Sequence, residues 1–244
     1  VIVSAAGVQA TVQRLLPDPI RSASWARGIA ALPPAPAHLC LYLGFQGDIA
    51  AAGATAANQW FYNTWDHENE MWHVSPDAPV SPVPVLYCSF PSLKDPNHDP
   101  GDGPYHTGEI VTFVPWESFE RWKGTRWYKR GETYESFKKA MTEQMLAQFF
   151  DSLPEMKPML RHAELSTPLT TDHFVRPSRG SIYGLEPTPE RFRNRWLRPK
   201  SPVPGLYFSG SEVGSVGVMG AMLGGLLCGA AVAPVAAVRF FRSL

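Results

Sequence analysis

Apolar and polar positions change period several times along the 244 residues, and each period predicts an element. Val1-Ile2-Val3 is a short β-branched run, suited to a buried strand over Val1 to Ser4. Val8 to Leu16 reads as a helix that Pro17 stops. Pro33, Pro34 and Pro36 mark a loop. Leu39 to Phe45 is a second apolar run, with Gly44 and Gly47 as turn signals. Ala50 to Ala57 is rich in small residues, and an aromatic and polar stretch follows with Trp60, Phe61, Tyr62, Trp65 and Trp72. Val85 to Phe90 and Glu109 to Val114 read as strands, separated by loop chemistry from Asp95 to His106. The clearest helix is Tyr134 to Phe150, where Phe137, Met141, Met145 and Phe149 recur every four residues. Pro154 closes it. After a loop-rich region, Gly205 to Ser209 is a short strand that feeds a Gly/Ala/Leu helix from about Val218 to Val238.

Charge narrows the partners. Lys+Arg and Asp+Glu are both 22, a balance that disfavours general nucleic-acid binding, which needs a positive excess. Cys40, Cys88 and Cys228 are far apart and odd in number, so neither a disulfide framework nor a metal knuckle is expected. A cytoplasmic, reducing location is the expectation. The chain opens in a strand without Met and without a basic leader, which reads as a fragment.

One turn stands out. Gly205-Leu-Tyr-Phe-Ser-Gly210-Ser-Glu212-Val-Gly214-Ser-Val-Gly217-Val-Met-Gly220 runs from a strand through glycines into an apolar helix. Glycines admit close approach of a ligand, and a helix start offers free N–H groups and partial positive charge. A phosphate or the electron-rich edge of a flavin suits such a place. A tight packing turn that binds nothing fits equally well, because the glycines do not follow GxGxxG.

Other features stay open or fail. Gly217 to Val238 has no charged residue and is long enough to span a bilayer, but its five glycines up to Gly229 and Pro234 favour a buried helix. Trp116 to Arg130 interleaves Trp116, Phe119, Trp122, Trp127 and Tyr128 with Arg121, Lys123, Arg126, Lys129 and Arg130. That pattern suits a peripheral membrane contact, stacking on bases, or a solvated basic face over buried rings. Asp95 to His106 lacks the glycine position and final Glu of a calcium loop. No HExxH or GxSxG occurs, so no metal ligands are assigned.

Several segments in order, Pro91-Ser-Leu-Lys-Asp-Pro96, Thr107 to Trp116, Arg130-Gly-Glu-Thr-Tyr134, Glu164 to Leu169, Gly180 to Glu186, Thr188 to Phe192 and Gly205 to Gly220, carry a likeness. Together they resemble the retinol-saturase (all-trans-retinol 13,14-reductase) and phytoene-desaturase family of FAD-dependent oxidoreductases. The resemblance covers nearly the whole chain. It implies the C-terminal part of a two-domain α/β flavoprotein with an α+β insert: a flavin-domain strand at 1–8, a substrate-binding domain at 9–178, and a return to the Rossmann-like domain at 179–244. It implies FAD, with NAD(P) as a candidate electron partner. Gly210, Glu212, Val218, Met219 and Gly220 would lie against the ribityl chain and flavin, with Ser4 and Ala5 approaching. Tyr183 and His173 are candidates for the substrate cavity, each with a structural hydrogen-bonding role as the alternative.

The chemistry so implied is hydride transfer between flavin and a carbon–carbon bond of a carotenoid, retinoid or other lipid, with the protein orienting substrate and excluding water. The family's N-terminal GxGxxG and acidic ribose ligand have no counterpart here, so a missing N-terminal segment is expected to complete the FAD site. The alternatives are a non-catalytic lipid-binding or membrane-docking remnant, and a carotenoid isomerase or amine oxidase of the same fold.

Overall fold

The computed structural model describes residues 1–68 and 71–243. In chain order the elements are β1 (Ile2–Ser4), α1 (Val8–Ala10, continued as a π-helical turn Thr11–Leu15), α2 (Asp18–Arg21), α3 (Ser24–Ala30), β2 (Ala37–Gln46), β3 (Gln59–Tyr62), β4 (Val85–Ser89), α4 (Pro91–Lys94) and β5 (Tyr105–Val114). There follow α5 (Glu132–Ser152), β6 (Leu160–Ser166), α6 (Pro168–Phe174), α7 (Pro189–Arg193), β7 (Leu206–Phe208), α8 (Gly217–Val232) and α9 (Pro234–Phe241). Helices and strands are mixed, with one parallel pair and one antiparallel sheet, an α/β chain with an α+β insert.

The chain divides into two compact units, Val1–Pro36 with Val175–Leu244, and Ala37–Phe174 between them. The first boundary corrects the one expected at residue 8. Residues 9–36 pack with the chain's two ends, because Val12, Trp25, Ile29 and Leu32 share a core with Leu206, Phe208 and Val213.

In the first unit β1 and β7 run parallel, pairing Ile2 with Leu206 and Ser4 with Phe208. Parallel strands are ordinarily covered on both faces. Here Ile2 and Val3 are exposed, and β1 has a neighbour on one side alone among the described residues. The final apolar stretch is two helices, because Pro234 has no N–H to continue α8. The 16 residues of α8 span about 24 Å, short of the ~30 Å hydrocarbon core, and no helix of the described residues is long and apolar enough to cross a membrane. The expected fully buried helix needs correction. Gly220, Gly224 and Cys228 are its buried stripe, while Val218, Met219, Met222, Leu223, Leu226 and Leu227 are exposed.

The second unit is a five-stranded antiparallel sheet in the order β3-β4-β5-β2-β6. Side chains alternate across a strand, so Leu39, Leu41, Leu43 and Phe45 face one side together with Leu86, Cys88 and Ile110. The long helix α5 buries Tyr134, Phe137, Met141, Met145 and Phe149 in that same core, in the four-residue spacing its sequence predicts. Gly131, at φ 91, opens the helix, and Glu132 and Glu135 complement the positive end of its dipole. Gln148 ties the proline-rich loop down, accepting from Val83 N at 2.5 Å and donating to Val83 O at 3.1 Å.

The basic–aromatic stretch splits apart on folding. Trp116, Phe119 and Trp122 are core residues, and Arg121 pairs with Asp77. Arg130 is 8% exposed and clamps two loops, donating to Thr125 O (3.1 Å), Thr125 Oγ1 (2.8 Å) and Leu169 O (3.2 Å). Removing the guanidinium leaves buried carbonyls unpaired, so Arg130→Ala should cost about 1.5–3 kcal/mol in urea unfolding. The exposed neighbour change Arg126→Ala should stay within about 0.5 kcal/mol. Equal effects would contradict the clamp.

Candidate functional site

The site grows from the ends of two parallel strands. Ser4 and Phe208 are paired, and Ser209 N donates to Ser4 O at 2.9 Å, so both chains leave the sheet at the same edge. One leaves as Ser4-Ala5-Ala6-Gly7 into α1, the other as the glycine-rich turn into α8. The carboxyl end of parallel strands is where open α/β sheets hold ligands. Ser4, Ala5 and Gly210, proposed from sequence, are thus brought to one edge.

Ser4 turns its hydroxyl inward. Thr11 Oγ1 donates to Gly7 O at 2.6 Å, which leaves Ser4 Oγ to donate to Thr11 Oγ1, also at 2.6 Å. Ala5 stays exposed.

Glu212 is buried, and as expected for a buried carboxylate it is hydrogen-bonded. The donors are backbone amides at the start of α1. Gln9 N donates to Glu212 Oε2 at 2.9 Å, and Val8 and Leu185 amides also stabilise the anion. Gly7 has φ 86, where a Cβ would stand 3.4 Å from Oε1, an ordinary contact; a Cβ on Gly184 (φ 73) would overlap that oxygen outright. Glu212 therefore acts as a long-range cap on α1, which has no side-chain cap of its own. Its charge already sits where a phosphate would bind that helix start.

Arg191 completes the arrangement. Thr188 caps α7, accepting from Arg191 N at 3.2 Å, and this positions the guanidinium inside the unit. Arg191 is 2% exposed and donates to Leu185 O and to Ser211 O, the latter at 2.6 Å. Burial lowers its pKa from the ordinary guanidinium value, and the Glu212 carboxylate opposes that shift. Burial likewise raises Glu212 above the usual carboxylate range, against the backbone amides and Arg191.

The turn's glycines pack on their own helix. A Cβ on Gly220 would run into the Ser215 carbonyl, one on Gly224 into the Gly210 carbonyl, and one on Gly214 into Gly220 O. Gly220 is needed for this close backbone contact, so a side chain there breaks the turn itself. Gly210, at φ 98, has open space where a Cβ would lie. Val218 and Met219 occupy the exposed first turn of α8, whose N–H groups have no side-chain cap. An acceptor-rich ring edge fits this end of the unit: a bare glycine, exposed Ala5 and uncapped amides.

The two candidate cavity residues are in different units. Tyr183 is half-exposed in the first. His173 is in the second, stacked on Trp127 at 5.3 Å between ring centroids. Sequence reasoning missed Gln9, Gly184 and Arg191. Gly184 and Arg191 lie inside the quoted Gly180–Glu186 and Thr188–Phe192 segments, which were their signal.

The second unit offers a broad open sheet face. Opposite the core, Tyr42, Trp60 and Tyr62 are exposed, with Tyr87 and Val111 partly so. Trp60 meets Tyr87 edge-on at 4.8 Å and lies parallel to Tyr62 at 6.4 Å. Burial pushes the Cys40 thiol up to about 11 and the Tyr42 phenol up to about 12, so both are neutral at pH 7. Glu109 and Glu164 are the cross-strand neighbours of Tyr42, so the rings share this face with two carboxylates.

No protein-family model matches the chain. It is 27% identical over 239 residues to all-trans-retinol 13,14-reductase of Rattus norvegicus and 26% identical over 244 residues to that of Homo sapiens. It is 30% identical over 240 residues to a Danio rerio protein named inactive all-trans-retinol 13,14-reductase. Each match covers 95% of this chain and 39% of the relative, so the chain spans well under half the length of the proteins it resembles, in keeping with a C-terminal portion.

Glu212→Ala should leave Gln9 N unpaired and cost about 1–3 kcal/mol of stability. Because burial raises the folded-state pKa, the folded protein holds this proton more tightly than the unfolded chain. Stability from this group is full below the ordinary carboxylate pKa and is lost as pH rises through the raised value. Unfolding of the parent and of Glu212→Gln should therefore diverge in favour of Gln as pH rises through that window. Parallel pH profiles would contradict the buried titrating carboxylate.

Proposed function

We propose that this chain is the substrate-side and flavin-turn portion of an FAD-dependent oxidoreductase that adds or removes hydrogen across a carbon–carbon bond of a retinoid-like or other isoprenoid lipid. The observation that carries the reading is an α8 start without a side-chain cap, together with the strand ends at bare Gly210 and exposed Ala5, in a chain similar along 95% of its length to all-trans-retinol 13,14-reductases. FAD, when bound, supplies the hydride chemistry. The protein's own part is binding and orientation. The amides of Gly217, Val218 and Met219 donate to a ring-edge acceptor, Gly210 keeps the approach clear, and Val218 and Met219 cover the ring with apolar surface. Glu212 and Arg191 hold the turn from behind. The rings of Tyr42, Trp60 and Tyr62 offer a lipophilic substrate an apolar surface, bordered at Tyr42 by the carboxylates of Glu109 and Glu164.

The exposed apolar residues of β1 and α8 fit a further segment that would extend the parallel sheet and complete FAD binding. NAD(P) is the candidate electron partner of the complete enzyme.

A second reading is a non-catalytic lipid-binding protein. It is favoured by the inactive relative at 30% identity, and by Glu212 being occupied with the protein's own amides.

An absorption spectrum of the full-length gene product separates the two readings. Bound flavin bands are expected for the first, and their absence would establish the second. Met219→Glu refines the test. A negative charge in the first turn favours the helix itself, so unfolding should be unchanged or slightly later. The same charge opposes an electron-rich ring edge, so FAD affinity should fall by about tenfold, roughly 1.4 kcal/mol. Undiminished FAD affinity would move the flavin away from α8.

A further inference from the structure

Residues 121–131 hold five cations and no carboxylate. Arg121 is paired with Asp77, and Arg130 is buried as a clamp. Lys123, Arg126 and Lys129 remain exposed, and none makes an ion pair among the described residues. Between them the chain reverses tightly: Lys129 N donates to Arg126 O at 2.9 Å, leaving Trp127 and Tyr128 as a two-residue tip. Tyr128 has φ 58, a left-handed conformation that costs a non-glycine residue stability. Its ring is 73% exposed, so the core recovers none of that cost.

The tip is the centre of a larger patch. Trp127 touches Tyr128 at 4.3 Å, stacks on His173 at 5.3 Å and meets Phe174 edge-on at 4.8 Å. Phe174 is itself 60% exposed. Four rings thus form one accessible cluster, ringed by three free cations. Aromatic rings favour the headgroup level of a bilayer, and cations beside them favour anionic lipid.

We propose that the Arg126–Lys129 turn is a peripheral docking wedge for anionic membranes, with Trp127, Tyr128 and Phe174 entering the interface and Lys123, Arg126 and Lys129 resting on headgroup phosphates. A lipid surface is preferred over a protein partner because the apolar element is a narrow projecting tip and its charge is of one sign. Arg130 has no part in it, although the sequence alone groups it with the other cations.

The test is co-sedimentation of the full chain with phosphatidylcholine vesicles, with and without phosphatidylserine. Binding should require phosphatidylserine and weaken with salt. Neutralising Lys123, Arg126 and Lys129 to Gln should lower partitioning by about a hundredfold, since each cation near an anionic surface contributes roughly fivefold. Tyr128→Gly should weaken binding several-fold while raising the melting temperature, because glycine accepts the left-handed turn. That opposite movement separates loss of a docking ring from loss of the fold. Leu223→Asp, on the exposed face of α8, should leave partitioning unchanged. The proposal is overturned if binding is equal on phosphatidylcholine alone, if the Gln and Gly variants bind like the parent, or if Leu223→Asp abolishes it.

Discussion

A buried carboxylate aimed at the start of a helix is the constraint on which the first unit depends. Glu212 comes 203 residues after Gln9, yet its oxygen accepts from the Gln9 amide inside the core. The helix start needs an acceptor, and the carboxylate needs donors, so each offsets part of the other's cost of burial. Arg191 secures the same turn through Ser211 O and Leu185 O. Together they pin three distant pieces of chain, 7–9, 184–191 and 211–212, around one ion pair's worth of charge. With the turn held from its inner side, Val218 and Met219 at the start of α8 are left exposed, and the helix start has no side-chain cap.

This arrangement divides the glycines by task. Gly184 makes room for the carboxylate, and Gly214, Gly220 and Gly224 let the turn and α8 touch backbone to backbone. Gly210, like Gly205 and Gly217, combines a left-handed φ with open space. The packing explanation raised by the sequence applies at Gly214, Gly220 and Gly224, and the ligand explanation is left to the glycines with open space. A glycine pattern by itself could not separate them, because both uses ask for the absence of a side chain.

Legibility followed the range of the forces involved. Helix α5 was readable because one face repeats every four residues, and β4 and β5 because they are apolar runs between turn residues. Strand β6 was not readable: Leu160-Arg-His-Ala-Glu-Leu-Ser is mostly exposed, and its pairing with β2 is fixed by the neighbour, not by its own pattern. Strand β3 was hidden because Trp60 and Tyr62 are aromatic on the open face while Phe61 packs toward the core, so the usual polar alternation is missing. The boundary at 36/37 was missed because α3 packs on segments almost 180 residues away. Of the site, the turn and its carboxylate were legible from local spacing. The inward direction of Glu212 and the role of Arg191 were not, since both are set by tertiary contacts.

The central claim is that the amides at the start of α8 and the strand end at Ala5 receive the flavin, while Glu212 serves the fold behind them. Amide hydrogen exchange on the full-length protein, with and without FAD, tests this most directly. The account predicts new protection at 217–219 and around Ala5 when FAD is added, with the Gln9 amide already slow in its absence. Protection confined to other regions, with 217–219 exchanging as before, would contradict it.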